Sequence, residues 1–473
     1  MRQAVVVIHG IGEQQPMGTI RAFVDAVLPA ARDVPAYYSK PDRLSELFEL
    51  RRLQATGSRT DFFEYYWAYN VEGTKIWSVL LWMLRLMLRW PKDVPDGVKV
   101  IWWLSWSIFC SFLVLLALGL LGPVGISFKD AGPLTLLGAL IFVALSAIQF
   151  TLISYVGDAA RYLSPLPANI NLRQKIRSQG VQLLRVLHAS GKYDRIIIVG
   201  HSLGSVIGYD IISRLWLEYN EQLPAIEGDP KVKKLILDAM AAGHSAQPII
   251  RDELSQTGEL LYRTPHDPAA LRNFQRSQLR AWREQRKLGN PWLISDFITL
   301  GSPLAHAELF LAANKVEFIT RKRQREVVTC PPQRDAKGYA YSPSNSVVVD
   351  TVEQGDGSKA EKRYTPLILH HAAPFAVTRW TNLYFPVKWG LFGDLVGGAL
   401  ASTFGPGILD VPVSNTRRLG WTLRAHTSYW YCSRDNKPRA SASSLPGAKV
   451  PNGLDALRTA LALRELRKFV VAD

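Results

Sequence analysis

A serine between two glycines stands where a short apolar run gives way to a helical pattern. The stretch "RIIIVGHSLGSVIGYDI" covers residues 195–211 and contains the pattern G-x-S-x-G at residues 200–204, which we call the elbow. Residues 196–199 are β-branched and predict a buried parallel strand, whereas apolar residues after Ser205 recur at helical spacing. A sharp strand-to-helix turn exposes its central side chain, and only small neighbours fit beside it. The elbow therefore predicts that Ser202 is a nucleophile.

Three further motifs accompany the elbow. "AVVVIHGIGEQQ" predicts a strand that starts at Ala4 and is broken at His9, while "DFITLGSPL" and "RAHTSYWYC" lie later in the chain. Together these motifs resemble the α/β-hydrolase superfamily, and within it the lipase-like serine hydrolases. The resemblance implies an α/β fold with a mostly parallel central sheet flanked by helices. It also implies hydrolysis of a carboxylic ester through an acyl-enzyme.

The same resemblance implies an oxyanion hole, the group of donors that stabilises the negative oxygen of the reaction intermediate. In such hydrolases, backbone N–H groups are donated by the loop after an early central strand and by the residue after the nucleophile. In this chain the corresponding residues are Ile11 and Leu203. His9, beside that loop, is interpreted as a capping or loop-bracing histidine and not as the catalytic base.

The base is expected near the end of the chain, because these hydrolases carry their catalytic residues in the order Ser, acid, His. Of the nine histidines, His426 follows all the predicted strands and lies in a loop rich in small and aromatic residues. We assign His426 as the base. The alternatives are His306, after the predicted strand "DFITL", and His371, before "FAVTRWTNLYF".

The acid must follow a late strand if it is to reach the imidazole Nδ1 atom of the base. After the predicted strand "WTNLYF", the first carboxylate is Asp394 in "KWGLFGDLVGG". The next is Asp410 in "GILDVPVSN", which itself predicts the last strand. We assign Asp394 as the acid, with Asp410 as the alternative.

Two long uncharged runs precede the elbow. Residues 100–128 and 131–157 contain no charged side chain, and each run exceeds the roughly 20 residues that a helix needs to cross the hydrocarbon layer. We therefore predict a transmembrane hairpin formed by residues 101–121 and 134–155. The preceding residues 76–90 mix Trp and Leu with two arginines, which is typical of an interfacial helix, and a third membrane span is the alternative.

Positive charge predicts the orientation of this hairpin. The loop between the two spans has only Lys129, whereas the outer flanks have Arg85, Arg89, Lys92, Lys99, Arg161, Arg173 and Lys175. Basic residues favour the cytoplasmic side, so we expect an integral membrane protein whose hydrolase domain faces the cytoplasm, at an inner or plasma membrane. The N-terminal apolar run is a short predicted strand and lacks the pattern of a secretory signal.

The net charge of +16 and the pI of about 9.7 suit an anionic partner. The sequence has no zinc-finger spacing, no nucleic-acid recognition module and no P-loop, so anionic membrane lipid is the expected partner and nucleic acid is not. Its three cysteines show no metal-ligand spacing and agree with a reducing compartment. We expect no metal and no cofactor.

The hydrolase domain is predicted to be interrupted twice. Its parts are residues 1–75, the membrane insertion 76–157, the nucleophile half 158–217, a helical cap-like insertion 218–291, and the C-terminal part 292–473. Residues 331–363 are polar and turn-rich, which predicts a mobile loop or a weak hairpin.

These patterns together favour a membrane-anchored serine hydrolase, similar to lipases and esterases, that acts on an acyl ester or lipid. The same three catalytic residues would serve an acyltransferase or a thioesterase, and the sequence does not separate these activities. A non-catalytic membrane scaffold that keeps the fold is a third alternative.

Overall fold

In the computed structural model of the protein, the described residues are 1–10, 15–28, 34–42, 49–70, 167–221, 253–312, 314–334, 341–343, 348–353, 358–364, 367–387, 393–414, 423–430 and 450–463, with scattered positions at 84, 87–91, 94, 99, 102–111, 113, 162, 234, 237 and 238. The described strands, in chain order, are β1 (Gln3–Ile8), β2 (Tyr37–Pro41), β3 (Arg51–Ala55), β4 (Thr60–Tyr65), β5 (Arg195–His201), β6 (Ile294–Leu300), β7 (Tyr341–Pro343), β8 (Val348–Glu353), β9 (Lys359–Tyr364), β10 (Leu367–Leu369), β11 (Arg379–Tyr384) and β12 (Leu409–Pro412).

Eight of these strands form one sheet in the spatial order β12, β11, β6, β5, β1, β4, β3, β2. The strands from β12 to β4 are parallel to their neighbours, while β3 and β2 add an antiparallel edge. The central strands β1 and β5 are buried along their whole length, which explains their nearly continuous apolar sequences. The prediction of an α/β fold with a mostly parallel sheet is confirmed.

The described helices are α1 (Gly18–Val27), α2 (Pro167–Ala189), α3 (Leu203–Tyr219), α4 (Ser255–Arg263), α5 (Pro268–Lys287), α6 (Ala307–Leu311), α7 (Lys315–Arg323), α8 (Ala401–Phe404) and α9 (Gly453–Leu461). They cover both faces of the sheet. Val5 and Val7 of β1 pack with apolar residues of α1 and α9, whereas Val6 and Ile8 pack with residues of α2, α3 and α5. This alternation along one strand is the two-sided burial expected of a central parallel strand.

The predicted strand and helix around the elbow are confirmed. β5 ends at His201 and α3 begins at Leu203, so a single residue makes the turn. The carboxyl ends of β1, β5, β6 and β11 lie at the same edge of the sheet, because these strands are parallel neighbours. Loops at this edge of an open α/β sheet form the usual place for a binding site.

The predicted loop 331–363 and the predicted insertion 218–291 are seen in part. In the segment 331–363, β8 pairs with β9 as an antiparallel hairpin that ends at Tyr364, and β7 pairs with β10, which follows the segment; both pairs lie outside the main sheet. In the segment 218–291, α4 and α5 are helical, and Phe274 and Trp282 of α5 belong to the core beside the sheet. The cap role of 218–291 stays a prediction.

The predicted membrane hairpin lies mostly outside the described residues. Of the spans 101–121 and 134–155, only residues 102–111 and 113 are described, and 102–111 are helical. Within the described part of the chain, no helix has both the length and the apolar character that a membrane span requires. The hairpin stays a prediction.

A buried ion cluster joins the amino ends of three neighbouring strands. Asp296 of β6 accepts hydrogen bonds from the guanidinium group of Arg195 on β5 and lies 2.5 Å from Arg379 Nη2 on β11. Arg195 is 2% exposed and Asp296 is 5% exposed. Burial alone raises the pKa of the Asp296 carboxyl, but Arg195 and Arg379 outweigh it and hold the pKa at about 2.

We expect Asp296→Ala to lower the free energy of unfolding by about 3–5 kcal/mol, because it leaves Arg195 buried without its anion. Urea unfolding followed by tryptophan fluorescence measures the loss. The pKa of Asp296 is lower in the folded state than in the unfolded chain, so its contribution is present above about pH 4 and is lost as the pH falls towards 2. The variant should lack this acid-sensitive part of the stability.

The matched control is Asp455→Ala, since Asp455 is 56% exposed and lies 3.8 Å from its arginine partner. We expect this control to change the free energy of unfolding by less than about 1 kcal/mol. Equal losses in the two variants would contradict a structural role for the buried cluster.

Candidate active site

Ser202 has the backbone geometry of a strained turn. Its φ of 52° and ψ of −129° lie in a region that non-glycine residues rarely adopt. A Cβ atom at Gly204 would lie 2.2 Å from the carbonyl oxygen of Ile8, and one at Gly200 would lie 2.5 Å from Ser205 Cα. The two glycines of the elbow therefore allow β1, β5 and α3 to approach closely while Ser202 projects from the turn.

The structure brings the predicted nucleophile, base and acid together. Ser202 Oγ donates a hydrogen bond to His426 Nε2 at 2.8 Å. His426 Nδ1 lies 3.0 Å from both carboxylate oxygens of Asp394 and donates to this carboxylate. All three residues are buried, and they come from sequence positions 202, 394 and 426. Ser202, His426 and Asp394 therefore form one continuous chain of hydrogen bonds.

Asp394 has further donors besides the base. Its Oδ1 atom accepts from the backbone N–H groups of Val396 and Gly397 at 2.9 Å each, and its Oδ2 atom accepts from the Tyr429 hydroxyl at 2.6 Å. Burial alone raises the pKa of this carboxyl, but His426, Tyr429 and the Gly397 N–H outweigh it and hold the pKa well below its usual range. Asp394 is therefore ionised at neutral pH.

The alternative acid, Asp410, has a different role. Its carboxylate accepts hydrogen bonds from the backbone N–H groups of Leu400 and Ala401, at the start of α8, and from Asn382 Nδ2 at 2.7 Å. These bonds satisfy donors at the beginning of a helix and join it to β11. Asp410 is thus a capping residue, and Asp394 is the carboxylate beside His426.

The two alternative bases, His306 and His371, lie elsewhere and do not contact Ser202. His306 ends the 3₁₀ helix Pro303–His306, is buried, and lies near the backbone of the loop that holds Asp394; burial lowers its pKa. His371 is exposed and contacts the ring of His370. Of the three histidines that the sequence left as candidates, the structure brings His426 to Ser202.

The loop after β1 lies against the nucleophile. A Cβ atom at Gly10 would lie 2.8 Å from Ser202 Cβ, so only glycine fits at this contact without displacement. His9 braces the loop: its ring stacks on Trp67 at 5.1 Å, its Nδ1 donates to the Gly10 carbonyl, and its Nε2 accepts from the Trp67 N–H. Burial lowers the pKa of His9 to about 4, so the ring is neutral. The interpretation of His9 as a loop-bracing residue is confirmed.

The two predicted oxyanion donors are placed only in part. Leu203 is the first residue of α3, and the N–H groups at the start of an α-helix have no acceptor within the helix. The helix itself therefore provides no acceptor for this N–H, which follows Ser202 directly in the chain. Ile11 lies outside the described residues, one position beyond Gly10.

Sequence reasoning missed the roles of two residues at this site. His201 Nε2 donates to the backbone carbonyl of His426 at 2.7 Å, and its ring contacts Trp430. Burial, and then the neighbouring His426, lower the pKa of His201 to about 3, so this donor stays neutral. Tyr429, which binds Asp394, follows His426 by three residues. The sequence signal for Tyr429 was its position in the same aromatic loop as His426. No sequence signal links His201 to His426.

The arrangement can perform nucleophilic substitution at an acyl carbon, because a serine hydroxyl bonded to an oriented imidazole can lose its proton as it attacks. Within the described residues, no group of three or more His, Cys, Asp or Glu side chains could hold a metal ion. Comparison of the chain with protein-family models, curated proteins and solved structures finds no match. The chemistry of the site is therefore inferred from its geometry.

We expect Asp394→Asn to lower kcat on a soluble ester such as p-nitrophenyl butyrate by up to about 10⁴-fold, because the amide lets the imidazole take the wrong tautomer. Asp410→Asn should keep kcat within about tenfold and weaken the start of α8, since it loses a charged cap. Steady-state kinetics of the two purified variants decides between them. A larger kcat loss in Asp410→Asn would move the acid to β12.

Proposed function

We propose that the protein is a serine hydrolase of the α/β-hydrolase superfamily that cleaves carboxylic acyl esters through an acyl-enzyme. The observation that carries this proposal is the hydrogen-bonded chain from Asp394 through His426 to Ser202, with Ser202 on a strained strand-to-helix turn. A buried serine of purely structural use would need neither an oriented imidazole nor a backbone conformation that costs of order 1–3 kcal/mol.

In the first half of the reaction, Ser202 Oγ attacks the ester carbonyl carbon and its proton passes to His426 Nε2. The Asp394 carboxylate accepts the Nδ1–H of His426 and stabilises the imidazolium that forms. The negative oxygen of the tetrahedral intermediate is bound by the backbone N–H groups of Leu203 and Ile11. His426 then gives its proton to the leaving alkoxide, the carbon–oxygen bond breaks, and the alcohol departs.

The second half of the reaction uses the same groups with water. His426 removes a proton from water, whose oxygen attacks the acyl carbon bound to Ser202. The second tetrahedral intermediate collapses when His426 returns the proton to Ser202 Oγ. The carboxylic acid is released and the starting site is restored.

The topology supports the superfamily assignment. The nucleophile follows β5 in the centre of the parallel sheet, the acid follows β11, and the base lies in the last loop before α9. The order Ser, acid, His along the chain is the order of α/β-hydrolases, and it differs from those of chymotrypsin and subtilisin.

The proposed substrate is an acyl ester of a lipid in the cytoplasmic leaflet. Leu88 and Trp90 are 72% and 73% exposed, and Trp103 is 60% exposed, in the segment that precedes and begins the predicted hairpin. Exposed aromatic and aliphatic side chains of this kind suit a membrane interface. Arg89 Nη2 donates to the carbonyl of Ala312, directly after α6, so Arg89 itself lies against the hydrolase domain. An anionic leaflet would attract the basic flanks of the hairpin.

A fluorophosphonate probe should label the wild-type protein and not Ser202→Ala, because the probe needs the activated hydroxyl. The matched control is Ser277→Ala, which removes a buried hydroxyl on α5 that bonds Glu253 and not the base. This control should be labelled at the wild-type rate. If labelling persists in Ser202→Ala, the nucleophile is another residue.

A series of p-nitrophenyl esters of increasing acyl length then measures the preference for lipid-like chains.

The membrane anchor is tested by extraction. We expect the protein to stay with membranes after a high-salt or alkaline wash, since apolar insertion is not screened as surface charge is. Deletion of residues 101–155 should make it extractable by salt, while activity on short soluble esters remains. Release of the intact protein by salt alone would show that charge attraction, and not the hairpin, holds it to the membrane.

A further inference from the structure

Tyr429 is fixed between the acid and the end of β11. Its hydroxyl lies 2.6 Å from Asp394 Oδ2 and 3.2 Å from the backbone nitrogen of Phe385. The ring of Tyr429 packs against that of Phe385, with ring centres 4.8 Å apart. A Cβ atom at Gly301 would lie 2.7 Å from Tyr429 Cε2, so the ring fills its site. The hydroxyl is therefore held in one place.

The chemistry of its two partners sets the direction of the hydroxyl proton. The N–H of Phe385 can only donate, so the Tyr429 oxygen accepts from it and the hydroxyl proton goes to Asp394. Burial, and then the charge of Asp394, raise the pKa of Tyr429 well above its usual value. Tyr429 is thus a neutral donor to a charged acceptor over the working pH range.

The Asp394 carboxylate divides its negative charge among several donors. His426 Nδ1 contacts both oxygens, two backbone N–H groups reach Oδ1, and Tyr429 reaches Oδ2 at the shortest of these distances. Each hydrogen bond to a carboxylate stabilises its charged form. A carboxylate with fewer donors attracts the proton on His426 more strongly, so Tyr429 and His426 compete for the same charge.

We propose that Tyr429 is a positioning residue that, by sharing the charge of Asp394, sets the pH above which Ser202 becomes reactive. This inference rests on the proposed function, because it treats His426 as the base. Without the Tyr429 hydroxyl, the Asp394 carboxylate would stabilise the imidazolium form of His426 more strongly than it does in the wild-type site. The base would then remain protonated at a pH at which the wild-type site already reacts.

Within the described residues, two further titratable groups face Asp394. They are His201, from the elbow, and His306, from the 3₁₀ helix after β6. Burial lowers the pKa of both histidines, to about 3 in His201, so His201 is neutral across the range from pH 5 to pH 9. Tyr429 itself does not ionise there.

The test is the rate of fluorophosphonate labelling of Ser202, measured from pH 5 to pH 9 in the full-length protein. In Tyr429→Phe we expect the midpoint of the acidic limb to rise by about 0.5–1 pH unit. Labelling should therefore fall by about 3- to 10-fold below the midpoint and stay within about 2-fold on the alkaline plateau.

The matched control is Tyr209→Phe. Tyr209 is also buried, and its hydroxyl donates to one backbone group and accepts from another, both in Val328, with no contact to Asp394. Its removal should leave the midpoint unchanged. A Tyr429→Phe profile with an unchanged midpoint, or with an equal loss at every pH, overturns the proposal, because a purely structural role predicts such a profile.

A second variant keeps the test informative if thermal unfolding shows that Tyr429→Phe does not fold. Replacement of Tyr429 by 3-fluorotyrosine keeps the ring and hydroxyl and makes the hydroxyl a stronger donor. The midpoint should then move to lower pH, and a midpoint that does not move overturns the proposal. Failure of the proposed function gives a different result, namely labelling that survives in Ser202→Ala.

Discussion

The ionised carboxylate of Asp394 imposes the strictest physical requirement on this structure, since it is fully buried. A buried charge is stable only when its oxygens accept hydrogen bonds, and here they accept from His426, Tyr429 and two backbone N–H groups. Cβ atoms at Gly301 and Gly397 would lie 2.6 Å and 2.7 Å from Asp394 Oδ2. The loops around the acid are therefore built from small residues and inward-pointing donors. The orientation of His426, and through it the hydrogen bond to Ser202, depends on this arrangement.

The strands β5, β6 and β11 carry different groups at their two ends. At their carboxyl ends, β5, β6 and β11 lead to Ser202, to Gly301 and to the loop with Asp394. At their amino ends they are joined by the buried cluster of Arg195, Asp296 and Arg379. This cluster joins the three strands at the edge of the sheet opposite Ser202. The strained turn at Ser202 is tolerated because β1, β5 and α3 hold it from both sides.

Much of this arrangement could be predicted from the sequence. The elbow was recognisable because its glycines and its change from strand to helical spacing are local features of the chain. His426 and Asp394 followed from their order after the late strands, although Asp410 and two other histidines remained open. The structure places those alternatives elsewhere, with Asp410 at the start of α8. The local sequence pattern therefore predicts the type of each element and the order of the site residues along the chain.

The remaining contacts could not be predicted, because they join residues far apart in the chain. His201 binds the carbonyl of a residue 225 positions away, and periodicity carries no information about such a bond. The bond from Tyr429 to Asp394 likewise depends on two loops that meet only in the folded sheet. The antiparallel edge made by β2 and β3 was also missed, because its strands are partly exposed and lack a clear apolar pattern. The transmembrane hairpin stays a prediction from composition.

The central claim is that an acyl group passes through Ser202. It is tested most directly by acid-quenching the protein during turnover of p-nitrophenyl butyrate and locating the butyryl group by peptide mass spectrometry. We predict a butyryl group on the peptide that contains Ser202, at the serine itself. A butyryl group on a different residue would contradict the account. So would continued hydrolysis of the ester if no acylated peptide were found in either the wild type or the Asp394→Asn variant.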